Sequence, residues 1–590
     1  MRTAARMMLL ATFGLLSASN APGLTVSPET LAMLDPVRRA TSLCSGERGQ
    51  SQFMRRLQLA ALAAGPVGAS AAAMPLFPDL ARHRFPVTAS NERARQYFSQ
   101  GLLLTYGFSH AGAVRSFREA QRLDADCAMC WWGEAVALGP NINAPMDDRD
   151  RETALAALDR ATALGDKASP MERALIEALS RRYSRDPQAN RGALDGAYAD
   201  AMLAVARAFP ADNDVAVLAA EAVMDASPWN YWQADKKTPV GRSGEARRLI
   251  ETVLARDPAN PQAAHLQIHL MEAADPRAAE VAADRLARPI APSAGHLVHM
   301  PAHIFELTGR YADSIRVNIA AARADEAFIR ATGDRSLVRY GYYPHNIHFI
   351  VTSAQMAGDM GTALREARRL RTVLDPETSA RIAWIQAIDA APYLAAAQFA
   401  APAAILAMPA PDPRLPYPAA MRHYARAVAQ AQLRNRTGFD TELAAMAALR
   451  TSEAFKPMID QGVPGPDLVA LAEAAARGRW AYASGDYAEA VEHYRAAIAF
   501  EEKIPYQEPP YWYYPINQSL GAALFADGRY DDAGHAFRTA LAQTPRNGWA
   551  LYGLAKSEAA LGNKLAAAAA QQAFNRAWAG DRNWLRMDRL

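Results

Sequence analysis

Residues 514–547 read YPINQSLGAALFADGRYDDAGHAFRTALAQTPRN. Two apolar-periodic segments flank a turn at Gly528. The small residues Gly521 and Ala533 let two helices approach closely, and Phe537 and Ala540 fill the seam between them. Pro545 cannot continue a helix and marks the end of the second segment. The stretch therefore predicts a helical hairpin that repeats every 34 residues.

The same register recurs. Residues 471–504 place Gly478, Gly485, Tyr487, Ala490, Tyr494 and Ala497, and residues 94–127 place Gly101, Ala113, Phe117 and Ala120. Weaker copies run over 295–328 (Ala302, Gly309, Tyr311, Ala321), 344–377 (Gly358, Ala363, Ala367) and 548–581 (Gly562, Ala567, Phe574). The pattern resembles the tetratricopeptide repeat (TPR). The resemblance implies an all-α, right-handed superhelical solenoid of about a dozen hairpins, some degenerate, in one elongated domain. The units at Gly295 and Pro344 lie 49 residues apart, so about 15 residues are inserted near 328–343. Pro- or aromatic-rich interruptions also fall at 227–241, 401–418 and 505–515.

Composition agrees with helices. The 590 residues carry 64 Lys+Arg and 61 Asp+Glu, a net charge of +3, which argues against a nucleic-acid-coating protein. Hydrophobic residues make up 51 %, enough for a packed core. At the N-terminus Arg2 and Arg6 precede the apolar run 7–16, followed by small residues to Ala21. This reads as a signal peptide over 1–21, a leader or linker region, partly disordered, over 22–83, the solenoid over 84–580 and a tail over 581–590. A second signal-like stretch begins at Met54, so the start is either Met1 or Met54. No other stretch reaches the roughly 20 apolar residues of a membrane span. A periplasmic or secreted protein is expected.

Seven of the twelve histidines fall in the 84 residues from His265 to His348, where even scattering would place about 12 × 84/590, or 1.7. In the repeat family, positions 2, 5, 9 and 12 of each first helix face the concave groove; the resemblance implies this, and composition does not show it. His296, His299 and His303 hold positions 2, 5 and 9 of one unit, and His345 and His348 positions 2 and 5 of the next. His265, His269 and Glu272 fall near positions 5, 9 and 12 of the preceding unit. Imidazoles three or four residues apart share a helix face and reach one ion. They suit Zn, Cu or Fe, with a carboxylate as a common added ligand. His265, His269 and Glu272 resemble a two-His-one-carboxylate set. The seven rings could serve two ions, which suits metal-assisted hydrolysis, or one ion with the others as proton carriers. They could equally bind an anionic or peptide ligand through hydrogen bonds.

Tyr340, Tyr342 and Tyr343 adjoin the histidines, and Tyr343, Asn346 and Asn318 are the candidate ligand-binding side chains. Two further aromatic groups, Trp229–Trp232 and Tyr511–Tyr514, read as packing. Cys127 and Cys130 form a C-x-x-C pair, read as a structural disulfide, two buried thiols, a redox disulfide or a metal-binding pair, with Cys44 left over. There is no P-loop, Gly-rich dinucleotide fingerprint or G-x-S-x-G elbow.

The strings CAMCWWG (127–133), HLVHMPAHI (296–304), YYPHNIHF (342–349) and PRNGWALYGL (545–554) resemble a group of large exported bacterial TPR proteins with His-rich groove helices. That resemblance implies the fold and supplies no reaction. The expectation is an exported repeat protein with a His-rich metal centre in its groove, as a hydrolase or oxidase, binding a small molecule or peptide beside the metal. The alternative is a non-catalytic scaffold that holds a protein segment.

Overall fold

The computed structural model describes residues 73–82, 85–288, 290–505 and 507–590. The signal-peptide reading, the Met54 stretch and Cys44 lie outside the described residues. Helices follow one another from Glu92–Tyr106 to Lys564–Ala577, and among the described residues the only β pairing is two isolated bridges. Neighbouring helices pair as hairpins. Glu92–Tyr106 pairs with His110–Leu123, Gly465–Ser484 with Tyr487–Glu501, and Ile516–Ala526 with Tyr530–Gln543. Residues 150–260 and 380–465 also fold mainly into helices.

The seams explain the pattern. A Cβ on Gly521 would lie 2.8 Å from the Phe537 ring, and one on Gly553 of the next helix 2.2 Å from it. Phe117 is held in the same way by Gly101 and Gly133, at 2.8 and 2.3 Å. One large ring is thus clamped between its own hairpin and the next, where only hydrogen fits. Burying such a ring contributes roughly 1.5–3 kcal/mol per repeat.

Contacts between distant repeats place the site. Tyr311 donates its hydroxyl to the Pro545 carbonyl at 2.9 Å, 234 residues away, about seven 34-residue units. The Trp549 indole donates to the Gln355 carbonyl at 2.7 Å, and the Ala579 N–H to the Ala357 carbonyl at 2.9 Å. Arg115 likewise donates to the Thr332 carbonyl at 3.1 Å, across 217 residues. Successive turns of the superhelix therefore touch. The chain's own later repeats thus pack against the helices that carry the histidines.

Both ends of the described chain join this packing. Residues 73–82, assigned by sequence to the leader region, run along the Glu92–Tyr106 helix, where Tyr97 donates to the Met74 carbonyl at 2.9 Å. Asp79 accepts from the backbone and hydroxyl of Ser293, both at 2.8 Å. In the predicted tail, Leu590 is buried and its carbonyl accepts from the Ser519 hydroxyl at 3.0 Å.

Candidate metal centre

Three helical segments carry the histidines. The Pro261–Met271 helix is started by the Asn260 side chain, which accepts from Ala263 N–H, and by Pro261, whose missing N–H is harmless there. It carries Gln262, His265 and His269, and Glu272 follows as its C-cap. The second segment is Gly295–His299 followed by Pro301–Leu307, interrupted where Pro301 has no N–H to give. Gly295 is required here, because Asp325 Oδ1 occupies the space of a Cβ. The third is Tyr343–Ala357, entered through one π-helical turn at Val338–Tyr342. That turn, with the 22-residue helix Tyr311–Thr332, absorbs the insertion expected near 328–343.

Two sets of imidazoles result. One ligating atom from each of His265, His269 and His296 lies within 4.8 Å of the others, and the same holds for His299, His303 and His345. Within the first set, His265 and His269 have ring centroids 4.8 Å apart, and His265 and His296 5.1 Å. His265, His269 and His296 are buried. His265 Nδ1–H donates to Gln262 Oε1 at 3.0 Å and His269 Nδ1–H to Glu272 Oε1 at 2.9 Å. Each Nε2 is buried without a hydrogen-bond partner, as are both ring nitrogens of His296. Phe108 packs on His265 and His296, 4.9 Å from each centroid, and the edge of Trp229 meets His269 at 5.2 Å.

In the second set the proton positions can be deduced. Asn318 Nδ2 donates to the Ser314 carbonyl at 2.9 Å, which turns Oδ1 toward His299 Nδ1 at 2.6 Å. His299 Nδ1 is therefore the donor and its Nε2 an acceptor. His303 Nε2 sits 2.8 Å from that nitrogen and must supply the proton. His303 Nδ1 faces Glu272 Oε2 at 2.9 Å and also meets Glu508. His303 is thus an imidazolium. Burial works against its charge, but Glu272 and Glu508 outweigh burial and push its pKa up to about 10. Burial holds His265, His269, His296, His299 and His345 well below the ordinary imidazole value, and neighbouring imidazoles add to this. These five are neutral, with lone pairs to give.

The donor set fits a first-row transition ion. An equilateral triangle of side 4.8 Å has its centre about 2.8 Å from each corner, against ~2.0–2.1 Å for a Zn–N bond. Each ring would move inward by less than about 1 Å. The Nδ1 acceptors are the outer groups that ligating histidines need. A small cavity lined by Ser109, Ser293, His296, Asp325, Phe328 and Tyr342 reaches the first set at His296.

Not every predicted residue joins. His348 is buried on the Tyr343–Ala357 helix but belongs to neither imidazole set. Glu272 stands behind His269 and His303, on their Nδ1 sides, instead of beside the Nε2 atoms of the first set. Asn318 orients His299, and Asn346 donates to Asp325 Oδ2 at 2.7 Å. Tyr343 points away: its hydroxyl donates to Glu326 at 2.5 Å, and Arg369 lies close by. The tyrosine at the cluster is Tyr342, 5.0 Å from the His296 ring. Cys127 and Cys130 are joined in a disulfide at the start of the Ala128–Ala137 helix, both buried.

Sequence reasoning missed Gln262, Glu306, Glu508, Phe108 and Phe349. Gln262 and Glu306 hold positions 2 and 12 of their units, so the register contained them. Trp229, read as packing, borders the cluster as well.

No family model matches the chain and no curated protein does. Among solved structures, a human IFIT1 dimer with m7Gppp-AAAA is 12 % identical, covering 93 % of this chain and 98 % of its own, with a TM-score of 0.28. The APC/C hetero-tetramer Cut9–Hcn1 is 13 % identical over 85 % and 79 %, with a TM-score of 0.25. Yeast Tom70 is 12 % identical over 84 % and 93 %, with a TM-score of 0.23. Likenesses of this size carry no functional argument.

Proposed function

We propose that this chain is an exported TPR-like metalloprotein whose first imidazole set, His265, His269 and His296, binds a divalent transition ion, Zn, Cu or Fe. One observation carries the reading: three buried, neutral imidazoles converge, with nitrogens that no hydrogen bond satisfies. A buried unsatisfied polar atom costs about 1–3 kcal/mol, and several in one place call for an occupant. Three protein ligands leave a position open, as in catalytic rather than structural sites. The cavity at His296 borders that position with room for about one water molecule. An ion there would polarise a substrate oxygen or activate water, which suits hydrolysis, or would cycle electrons as an oxidase. The Cys127–Cys130 disulfide supports an oxidising compartment.

The test is elemental analysis of full-length protein purified without a polyhistidine tag. At least one equivalent of a transition ion is expected, and one equivalent fewer in His265→Asn plus His269→Asn. Metal-free protein that holds a polypeptide partner tightly would favour the scaffold reading instead.

A further inference from the structure

We infer that the chain holds two ions, one in each imidazole set, with Glu272 as the carboxylate shared between their outer shells; this rests on the metal reading above. The second set is built like the first. His299 is oriented by Asn318, and His303 by Glu272 and Glu508. His345 completes the set from another helix, its ring 4.9 Å from that of His299. Phe349 closes one side, 4.9–5.0 Å from all three rings.

Glu272 joins the two sets. Its Oε1 accepts from His269 of the first and its Oε2 faces His303 of the second, both at 2.9 Å. One carboxylate thereby touches both sets, holding His269 by a hydrogen bond and facing His303 by charge, while the His303 Nδ1 hydrogen bond goes to Glu508. The sets are close neighbours: His296 and His299 have ring centroids 6.0 Å apart, and His269 and His303 6.1 Å.

His299 Nε2 and His303 Nε2 stand 2.8 Å apart, at hydrogen-bond distance, which one shared proton satisfies. Tetrahedral ligand nitrogens on Zn lie about 3.3 Å apart, from bond lengths of ~2.0–2.1 Å. An ion would replace the proton and open the pair by roughly half an ångström, leaving the His303 Nδ1–H on its carboxylates. Those carboxylates would then balance the added charge. Glu508 comes from the 505–515 interruption, 205 residues beyond His303. The second site is thus complete only when the later superhelical turn has closed over it. Since His345 is the partly exposed member, the second ion exchanges with solvent before the first.

The test uses untagged full-length protein, stripped with chelator, reloaded with excess zinc and gel-filtered. Two zinc ions per chain are expected. The double variant His299→Asn plus His345→Asn is expected to keep one, and Glu508→Gln to weaken only the second ion, roughly 10- to 100-fold. One zinc in the wild type, or two in the double variant, overturns the inference and leaves the first site standing. No zinc at all overturns both readings. Should the double variant lose its far-ultraviolet circular dichroism, the wild type with copper(II) decides. At two equivalents, paramagnetic resonance should show spin-coupled copper with a half-field line. Isolated mononuclear lines at both one and two equivalents overturn the inference.

Discussion

The Nδ1 of His269 stands 2.9 Å from Oε1 of Glu272, one helical turn further along the chain. This contact fixes the tautomer: Nδ1 carries the proton, and Nε2 faces His265 and His296 with a free lone pair. It also sets the charge balance, because the same carboxylate faces the His303 imidazolium.

Glu272→Gln should therefore retain an acceptor for His269 but lose the charge. Zinc affinity is expected to fall roughly 10- to 100-fold with the helical content unchanged. Competition with a chromophoric chelator measures this, and unaltered affinity would count against the orienting role.

The repeat seams make a separate prediction. Gly553→Ala and Gly133→Ala place a methyl group 2.2 and 2.3 Å from a buried ring, so each should destabilise by about 1–3 kcal/mol. Gly196, inside the Arg191–Ala208 helix, has no heavy atom within 4 Å of a Cβ, so Gly196→Ala should stabilise by about 0.4–1 kcal/mol. Thermal melts of the three proteins should shift in opposite directions.

Contact between superhelical turns should be measurable at Trp549. Trp549→Phe removes the indole donor, while the Gln355 carbonyl keeps the Gly358 N–H, so a loss of about 0.5–1.5 kcal/mol is expected. Hydrogen exchange should speed up in both the 343–357 and 548–577 segments. Acceleration in the second alone would mean that the turns do not support each other.

Glu306, one turn beyond His303, is pushed up to about 8 by burial and then by the charge of Glu508. Its folded pKa lies above the unfolded value of about 4.3. It therefore supports folding fully below the unfolded pKa and loses that contribution as pH rises through about 8. Glu306→Gln does not titrate. In metal-free protein, the melting temperature of the variant minus that of the wild type should increase from pH 5 to pH 8 and level off above. A constant difference would show that Glu306 is ionised throughout.

What was legible in the sequence follows from range. Gly521 and Phe537 belong to one hairpin, so their pairing leaves a 34-residue trace. The face shared by His296, His299 and His303 is also a local, helical fact. Glu508, Phe108 and Trp229 reach the cluster from other repeats, and nothing in their own neighbourhoods marks that. Choosing Tyr343 over Tyr342 failed for a different reason. The π-helical turn rotates the chain just before Tyr343, so a residue count based on an α-helix aims the wrong ring.

The central claim, that His265, His269 and His296 direct their nitrogens onto a common ion, is tested most directly by X-ray absorption at the zinc edge. The sample is the His299→Asn plus His345→Asn protein loaded with one equivalent. The account predicts three imidazole nitrogens at ~2.0–2.1 Å with the outer-shell scattering of intact rings. A shell of oxygen ligands without imidazole scattering, or no retained zinc, would contradict it.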